Sequence, residues 1–307
     1  MFEIIFLGTS ASAPSVHRGL SSLFVQHEEN RFLIDCGEGT QRQILKAGVG
    51  FKRLNQILLT HGHLDHILGL GGLVSTFLRW EVMEEIEIYG TQHTLDRVHD
   101  LIFGVVLRGF HGKPPVTLHD ISPGKFFTTD RFTITAFQVD HRGSDSLGFR
   151  FEERSRRPFL PDKAEELNIP PGPWRRDLVE EKEVRLPDGR KIKPDQVLGA
   201  EREGTSLAVV GDTGNADKLL PHIKEVDALV IESTYIQAEA DLADRFDHLT
   251  AKQAAELAQK AGVRQLFLTH LSRRYRERDI IDEARSVFPS THVARDFDRY
   301  QIKRESD

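Results

Sequence analysis

Between Thr60 and His66 the chain reads Thr-His-Gly-His-Leu-Asp-His, with three imidazoles and a carboxylate packed into six residues directly after the apolar run Ile57-Leu58-Leu59. Imidazole nitrogen and carboxylate oxygen are the usual ligands of zinc and similar divalent ions. A hydrolytic site, unlike a structural one, draws on few cysteines and keeps a position for water. The spacing adds a mechanical argument. If a strand ends near Thr60, His61 and His63 lie two apart and point one way, while Asp65 and His66 begin the next turn and face a second position. One short loop of this kind can serve two ions.

The same strand-then-ligand grammar returns downstream. Phe132 to Phe137 alternates apolar and polar residues and leads through Val139-Asp140 to His141. Ser206 to Val210 is a buried-strand run followed by Gly211-Asp212, which puts Asp212 at a strand's carboxyl end, where a single carboxylate can bridge two ions. Ala228 to Ile231 delivers Glu232-Ser233-Thr234-Tyr235. Thr250 and Gln253 have capping-box spacing and place His248 just ahead of a helix N-terminus. Gln265 to Thr269 leads into His270-Leu271-Ser272-Arg273-Arg274. Asp35, at the end of the Arg31–Asp35 strand, either orients the histidine loop or is an exposed turn carboxylate.

These residues need elements to hold them. Phe2 to Leu7 and Leu23 to Gln26 read as strands, and the small residues from Gly8 to Pro14 suit a loop that approaches a ligand closely. A helix is expected through Lys46. After the histidine loop, Leu70, Leu73, Val74, Phe77 and Leu78 recur at the three-to-four spacing of a helix burying one face. Strands near Glu85–Tyr89, Val116–Leu118 and Phe126–Val139, with a helix around Thr91–Val106, continue the alternation. Strands and helices in two halves, each ending its strands in ligands, predict a four-layer αββα sandwich with the site along one edge of the two sheets.

Composition bounds the rest. The 307 residues are 39% hydrophobic and 29% charged, enough for a large core and unlike a disordered chain. No apolar run approaches membrane-spanning length, and the N-terminus opens on strand-like residues, so a cytoplasmic protein with no membrane association is expected. The lone Cys36 ends a strand and is expected to be buried. A net charge of -6 argues against a generally basic nucleic-acid binder, so an RNA substrate would need a local basic patch. Residues 152–200 change character. They are charge-dense and carry Asn168-Ile169-Pro170-Pro171-Gly172-Pro173-Trp174, too proline-rich for regular structure, and they read as a flexible insertion adding little to the core.

The run His61-x-His63-x-Asp65-His66 is similar to the signature of the metallo-β-lactamase superfamily of two-metal hydrolases, and Thr60 to Leu73 resembles the ribonuclease Z family. Its motifs recur in order: the N-terminal strand and small-residue loop, Gly37-Glu38-Gly39-Thr40-Gln41, His141, Asp212, Glu232, His248 and His270-Leu271-Ser272-Arg273-Arg274. There are departures. Pro14-Ser15-Val16-His17-Arg18-Gly19 lacks the family's usual lysine and asparagine, and Ile231 and Ser233 stand where histidine and alanine are usual.

The resemblance implies the metallo-β-lactamase sandwich, one domain over 1–307 with a protruding flexible arm at 152–200 whose tip includes Gly172 and Pro173. It implies a zinc-dependent endoribonuclease that removes 3′ trailers from precursor tRNA, leaving a 3′-hydroxyl on the tRNA and a 5′-phosphate on the trailer. Two Zn2+ per chain, or Mn2+, would be held by His61, His63, His141 and Asp212 on one side and by Asp65, His66, Asp212 and His270 on the other. Asp65 would accept the water's proton, and His248 supported by Glu232 would protonate the leaving group. Arg274, with Arg273 as competitor, would bind the scissile phosphate. Arg154, Arg156, Arg157, Arg175 and Arg176 would meet tRNA phosphates. A homodimer is the implied assembly. The alternative is a two-metal phosphodiesterase acting on small phosphodiesters or cyclic nucleotides, which a short or non-basic arm would favour.

Overall fold

In the computed structural model, which describes residues 1–80, 85–111 and 115–304, the apolar runs become strands whose side chains are buried on both faces. Among the described residues, β1 (Phe2–Gly8), β2 (Ser22–His27), β3 (Asn30–Ile34), β4 (Gln56–Leu58), β5 (Ile86–Gly90) and β6 (Val116–Asp120) form one sheet. The other begins with β7 (Gly124–Thr128), β8 (Phe132–His141) and β9 (Ser144–Glu153). A short hairpin, β10 (Val184–Arg185) and β11 (Lys191–Ile192), follows outside both sheets. The second sheet is then completed by β12 (Ser206–Val210), β13 (Ala228–Glu232), β14 (Gln265–Thr269) and β15 (Thr291–Val293), while β16 (Arg299–Ile302) returns to pair with β1.

The strand orders are β16-β1-β2-β3-β4-β5-β6 and β15-β14-β13-β12-β9-β8-β7. Phe2, Phe32, Phe132, Phe149 and Phe151 fill the space between the sheets, with edge-to-face rings such as Phe2–Phe132 at 5.9 Å. Such aromatic pairs add about 0.5–1.5 kcal/mol beyond their area. On the far side of the first sheet lie α1 (Thr40–Lys46), α2 (Leu64–Ile67), α3 (Leu70–Trp80) and α4 (Gln92–Leu101), burying Ile44, Ile67, Leu73, Phe77 and Val98. Helices α5 (Pro161–Glu166) and α6 (Pro173–Val179) belong to the inserted segment. The second sheet's outer face is covered by α7 (Leu220–Ile223), α9 (Ala251–Ala261) and α10 (Glu277–Arg285), with α8 (Ala240–Phe246) between them in sequence. The four layers are those expected from the alternation.

Within each sheet a parallel block aims its carboxyl ends the same way. Strand β3 pairs with β4 in the register Ile34↔Leu58, and β13 pairs with β14 in the register Glu232↔Thr269. The residues that follow these strands therefore emerge at one edge. One glycine makes the histidine loop possible there. A Cβ on Gly69 would stand 2.0 Å from the Gly37 carbonyl oxygen, so the turn after His66 can lie against the end of β3 only without a side chain.

The chain folds as two compact units, Met1–Glu152 with Thr205–Asp307, and Glu153–Gly204. The second contains regular elements and a small core of its own where an irregular segment adding little to the core was expected. Pro161 and Pro173 open α5 and α6, positions where the missing N–H costs nothing and the fixed φ suits a helix. Ala164, Ile169, Leu178, Val184, Leu186, Ile192 and Val197 bury into a small core of their own. The proline count misled because prolines at helix starts promote regular structure.

Candidate metal centre

Asp212 follows β12 and is buried beneath four imidazoles that divide between its two oxygens. Its Oδ2 lies 3.7 Å from His61 Nε2 and 3.8 Å from His141 Nε2, and its Oδ1 lies 3.4 Å from His66 Nε2 and 3.3 Å from His270 Nε2. Asp65 Oδ2 completes the second side, 3.4 Å from His270 Nε2 and 3.8 Å from His66 Nε2. His63 joins His61, His141 and Asp212 in a group whose ligand-type atoms lie within 4.8 Å of one another, and Asp65, His66 and His270 form a second such group. One loop thus contributes to both, His61 and His63 to the first and Asp65 and His66, on α2, to the second.

Hydrogen bonds on the far side of each ring select the nitrogen that faces inward. Asp35 leaves β3 with φ 58, a left-handed conformation that aims its carboxylate at the loop. Its Oδ1 accepts the Thr60 N–H at 2.8 Å, and its Oδ2 accepts the Thr60 hydroxyl at 2.8 Å and the His66 Nδ1–H at 2.7 Å. Because the Thr60 hydroxyl donates to Asp35, it accepts from His61 Nδ1 at 3.0 Å. His141 Nδ1 can only donate to the Asp247 carbonyl at 2.8 Å. Thr234 hydrogen-bonds to Glu232 and accepts from His270 Nδ1 at 2.9 Å. In all four rings Nδ1 is therefore the outward donor and Nε2 is the nitrogen turned toward the centre, the orientation a metal ligand needs. His270 itself holds φ 54, strain of the sort that clusters at functional sites.

The electrostatics fit a cation. Burial opposes ionisation of Asp212, but the charges of His270 and His66 outweigh it and hold the carboxyl well below its usual range. Burial likewise opposes, and the hydrogen bond to His270 overcomes, in Asp65, which is also held far down. Burial and the neighbouring imidazoles push His61 well down and His63 to about 4. His66 goes the other way, since Asp212 and Asp35 outweigh its burial and raise it well above its ordinary value. Among the described residues, His61 Nε2, His66 Nε2 and Asp212 Oδ1 are buried without a hydrogen-bond partner. A buried carboxylate ringed by lone pairs is costly unless a cation sits among them, so the donor set fits divalent ions of the zinc type.

His248 stands beside this centre. Its Nδ1 is 2.8 Å from Glu232 Oε1, while Glu232 also accepts the Thr213 N–H at 2.7 Å. Burial works against the imidazolium, but Glu232 outweighs it and lifts His248 to about 9. Thr250 caps α9 as expected, accepting from Gln253 N and donating its own N–H to the Gln253 side chain. Sequence order put His248 outside any ligand cluster. The structure brings it within 4.8 Å of Asp212 and His270 ligand-type atoms, because Glu232, which holds His248, pairs with Thr269, the residue before His270.

Other expected site residues lie elsewhere. Arg274 is exposed and paired with Glu239 at 2.6 Å, whereas Arg273 lines a cleft of about 590 Å³ with Ser10, His17 and Leu271. Arg18 is largely buried and donates to the Ala294 carbonyl at 2.6 Å, so it pins the 9–19 loop. Cys36 is buried and its thiol is pushed far up by burial. In the inserted unit, Gly172 has φ 126 and Pro173 opens α6. Arg175 bonds the Ile169 carbonyl at 2.7 Å and Arg157 pairs with Asp195 at 2.6 Å, so both are engaged internally. Arg156 joins a backbone bridge with Arg202. Sequence reasoning missed Thr234, Asp247, Arg97, which donates to the Gly62 carbonyl at 2.6 Å, and Ser12, whose N–H meets Asp65 Oδ2 at 2.9 Å. The signal for Thr234 was its place two residues after Glu232; Ser12 acts through its backbone and has none.

Comparison with known proteins follows the same line. Residues 2–160 match the family described as anti-Pycsar protein Apyc1. The chain is 45% identical to the ribonuclease Z of Bradyrhizobium sp. (strain ORS 278) over 302 residues, 98% of this chain and 100% of that one. Human tRNase Z, short form, superposes with a TM-score of 0.70 at 25% identity, covering 98% of this chain and 99% of that one. A metallo-β-lactamase fold protein of Bacillus subtilis gives 0.69 at 17% identity over 97% and 98%, a likeness of fold alone.

Proposed function

The chain belongs to the ribonuclease Z family and is a metal-dependent endoribonuclease of the metallo-β-lactamase superfamily, and we propose that it cuts 3′ trailers from precursor tRNA with two zinc ions per chain. The products are a tRNA 3′-hydroxyl and a 5′-phosphorylated trailer. The observation that carries this reading is the division of Asp212, with Oδ2 facing His61 and His141 and Oδ1 facing His66 and His270. His61, His63, His141 and Asp212 would hold one ion and Asp65, His66, Asp212 and His270 the other, with manganese the other candidate metal. Such a pair, when bound, neutralises phosphate charge and acidifies a water toward a pKa of about 7.

The chain's own residues supply the proton traffic. Asp65, kept ionised, takes the proton of the attacking water. The tRNA 3′ oxygen is a basic leaving group, and His248, protonated up to about 9, delivers a proton to it. Glu232 holds the donor ring through Nδ1 and, through the Thr213 N–H, ties it to the turn that carries Asp212. Arg274 exchanges its Glu239 contact for the scissile phosphate. Residues 153–204, with the Gly172-Pro173 tip at the start of α6, hold the tRNA body. A cytoplasmic homodimer is the working form.

A second reading has one observation in its favour. The inserted unit carries twelve Lys and Arg against twelve Asp and Glu, so it offers no net positive field to RNA. That balance suits a phosphodiesterase for small esters or cyclic nucleotides. Turnover of a 3′-extended tRNA transcript, measured beside a cyclic nucleotide and a nitrophenyl phosphodiester, decides between them. The tRNA is expected to dominate kcat/KM by orders of magnitude; preference for the cyclic nucleotide would reverse the order of the two readings.

A further inference from the structure

Close to His248 stand an aromatic ring, Tyr235, and a guanidinium, Arg142. Tyr235 follows β13 and is half-buried, its ring centroid 6.1 Å from that of His248 and 6.5 Å from Tyr275. Its backbone is fixed on both sides, the N–H bonding Leu249 O at 3.1 Å and the carbonyl accepting from Ala251 N at 2.9 Å. The main chain that carries the ring is therefore fixed, and the residue is partly open to solvent.

Arg142 is the second component. It follows His141 with φ 47, and its N–H donates to Asp247 Oδ2 at 2.6 Å. Its side chain turns back so that Nε donates to the Phe246 carbonyl at 3.1 Å and the guanidinium lies 5.6 Å from the Phe246 ring centroid. Asp247 itself has φ 57 and supplies the carbonyl that orients His141. Two residues in a left-handed conformation thus cooperate to present an exposed guanidinium whose Nε is held on the Phe246 carbonyl. The charges of Arg274 and Arg142 both act on the Tyr235 hydroxyl, and Arg142 also acts on His248.

We propose that Tyr235 and Arg142 form the docking shelf for the nucleotide whose 3′ oxygen leaves: Tyr235 stacks its base and Arg142 binds the phosphate on that nucleotide's 5′ side. This rests on the endoribonuclease reading and on His248 as proton donor. The leaving oxygen must come to His248, so the ribose that bears it lies against the wall beside His248, and that wall is Tyr235 and Arg142. Every base has a π-face, so a tyrosine there accepts any terminal nucleotide, which an enzyme acting on many tRNAs requires. Arginine suits the phosphate because its planar fork presents paired donors.

The test compares Tyr235→Leu, Tyr235→Phe and Arg142→Met with the unaltered holoenzyme on a 3′-extended tRNA and on a nitrophenyl phosphodiester. Tyr235→Leu is expected to lower kcat/KM for tRNA about tenfold more than for the small ester, and Tyr235→Phe to restore most of that loss. Arg142→Met keeps the backbone N–H on Asp247, and it should flatten the plot of log kcat/KM against log salt for tRNA by about 0.7. Equal losses on both substrates, an unchanged salt slope, or a Tyr235→Phe defect as deep as that of Tyr235→Leu would overturn the shelf. A wild-type enzyme inert toward tRNA would overturn the endoribonuclease reading itself and the shelf with it.

Discussion

His248 Nδ1 and Glu232 Oε1 lie 2.8 Å apart, and the same carboxylate oxygen holds the N–H of Thr213, next to Asp212. His248, the proposed proton donor, and the turn that carries Asp212, the proposed bridging ligand, are thus held by one side chain at the end of β13. General acid catalysis contributes about 10²- to 10⁴-fold, and only where the leaving oxygen is basic. His248→Ala is therefore expected to slow tRNA cleavage by about that factor while leaving hydrolysis of a nitrophenyl phosphodiester nearly intact. Glu232→Gln should act the same way more mildly, and Asp65→Ala should suppress both substrates. Equal slowing of the two substrates by His248→Ala, with metal content unchanged, would remove the donor role.

The pH dependence follows from the same pair. Glu232 raises His248 to about 9, so the donor form is present at neutral pH and is lost as pH climbs through that value. The kcat profile for tRNA should carry an alkaline limb at or below about 9, and Glu232→Gln should move it to lower pH. A limb that stays in place in the variant, or that appears equally with the nitrophenyl ester, would assign it to another group.

Asp212 supplies one oxygen to each half of the site, so Asp212→Ala should damage both. Elemental analysis of wild-type protein is expected to give two divalent ions per chain, and the variant should hold both more weakly. One ion lost with the other's affinity unchanged would contradict a shared ligand.

The inserted unit can be tested by removal, because its ends meet. A Cβ on Gly204 would lie 2.2 Å from the Glu153 carbonyl oxygen, and Ser206 pairs with Glu152, so a short glycine-serine linker closes the gap. Replacing 153–204 should abolish tRNA processing yet leave the small ester's turnover largely intact. Parallel loss of both would place this unit in the catalytic fold.

Ser233 gives a stability prediction. Its Oγ is buried without a hydrogen-bond partner among the described residues, a state that costs about 1–3 kcal/mol. Ser233→Ala should raise the melting temperature, by about 2–4 °C for each kcal/mol recovered. A lower melting temperature would mean that the hydroxyl is satisfied by an ordered water.

The clustering of this candidate centre was legible because its residues follow apolar strands. His61, His141, Asp212, Glu232 and His270 each come directly after, or at the end of, a buried run, and parallel strands bring such ends to one edge. What orients them was harder to read. Asp247 works through its carbonyl and a left-handed backbone, Ser12 through an N–H, and neither role leaves a mark in residue type. The inserted unit was misread for a related reason. Pro161 and Pro173 look like breakers in a list of residues, but at the first position of a helix they are starters.

The most direct measurement maps the ends made from a 3′-extended precursor tRNA by purified protein, first stripped of metal and then reloaded with zinc. The account predicts no cleavage by the stripped protein. After reloading it predicts a single endonucleolytic cut at the 3′ side of the mature tRNA, with a 3′-hydroxyl on the tRNA and a 5′-phosphate on an intact trailer. Cleavage that persists without metal, stepwise loss of single nucleotides from the 3′ end, or a 3′-phosphate on the tRNA would contradict it.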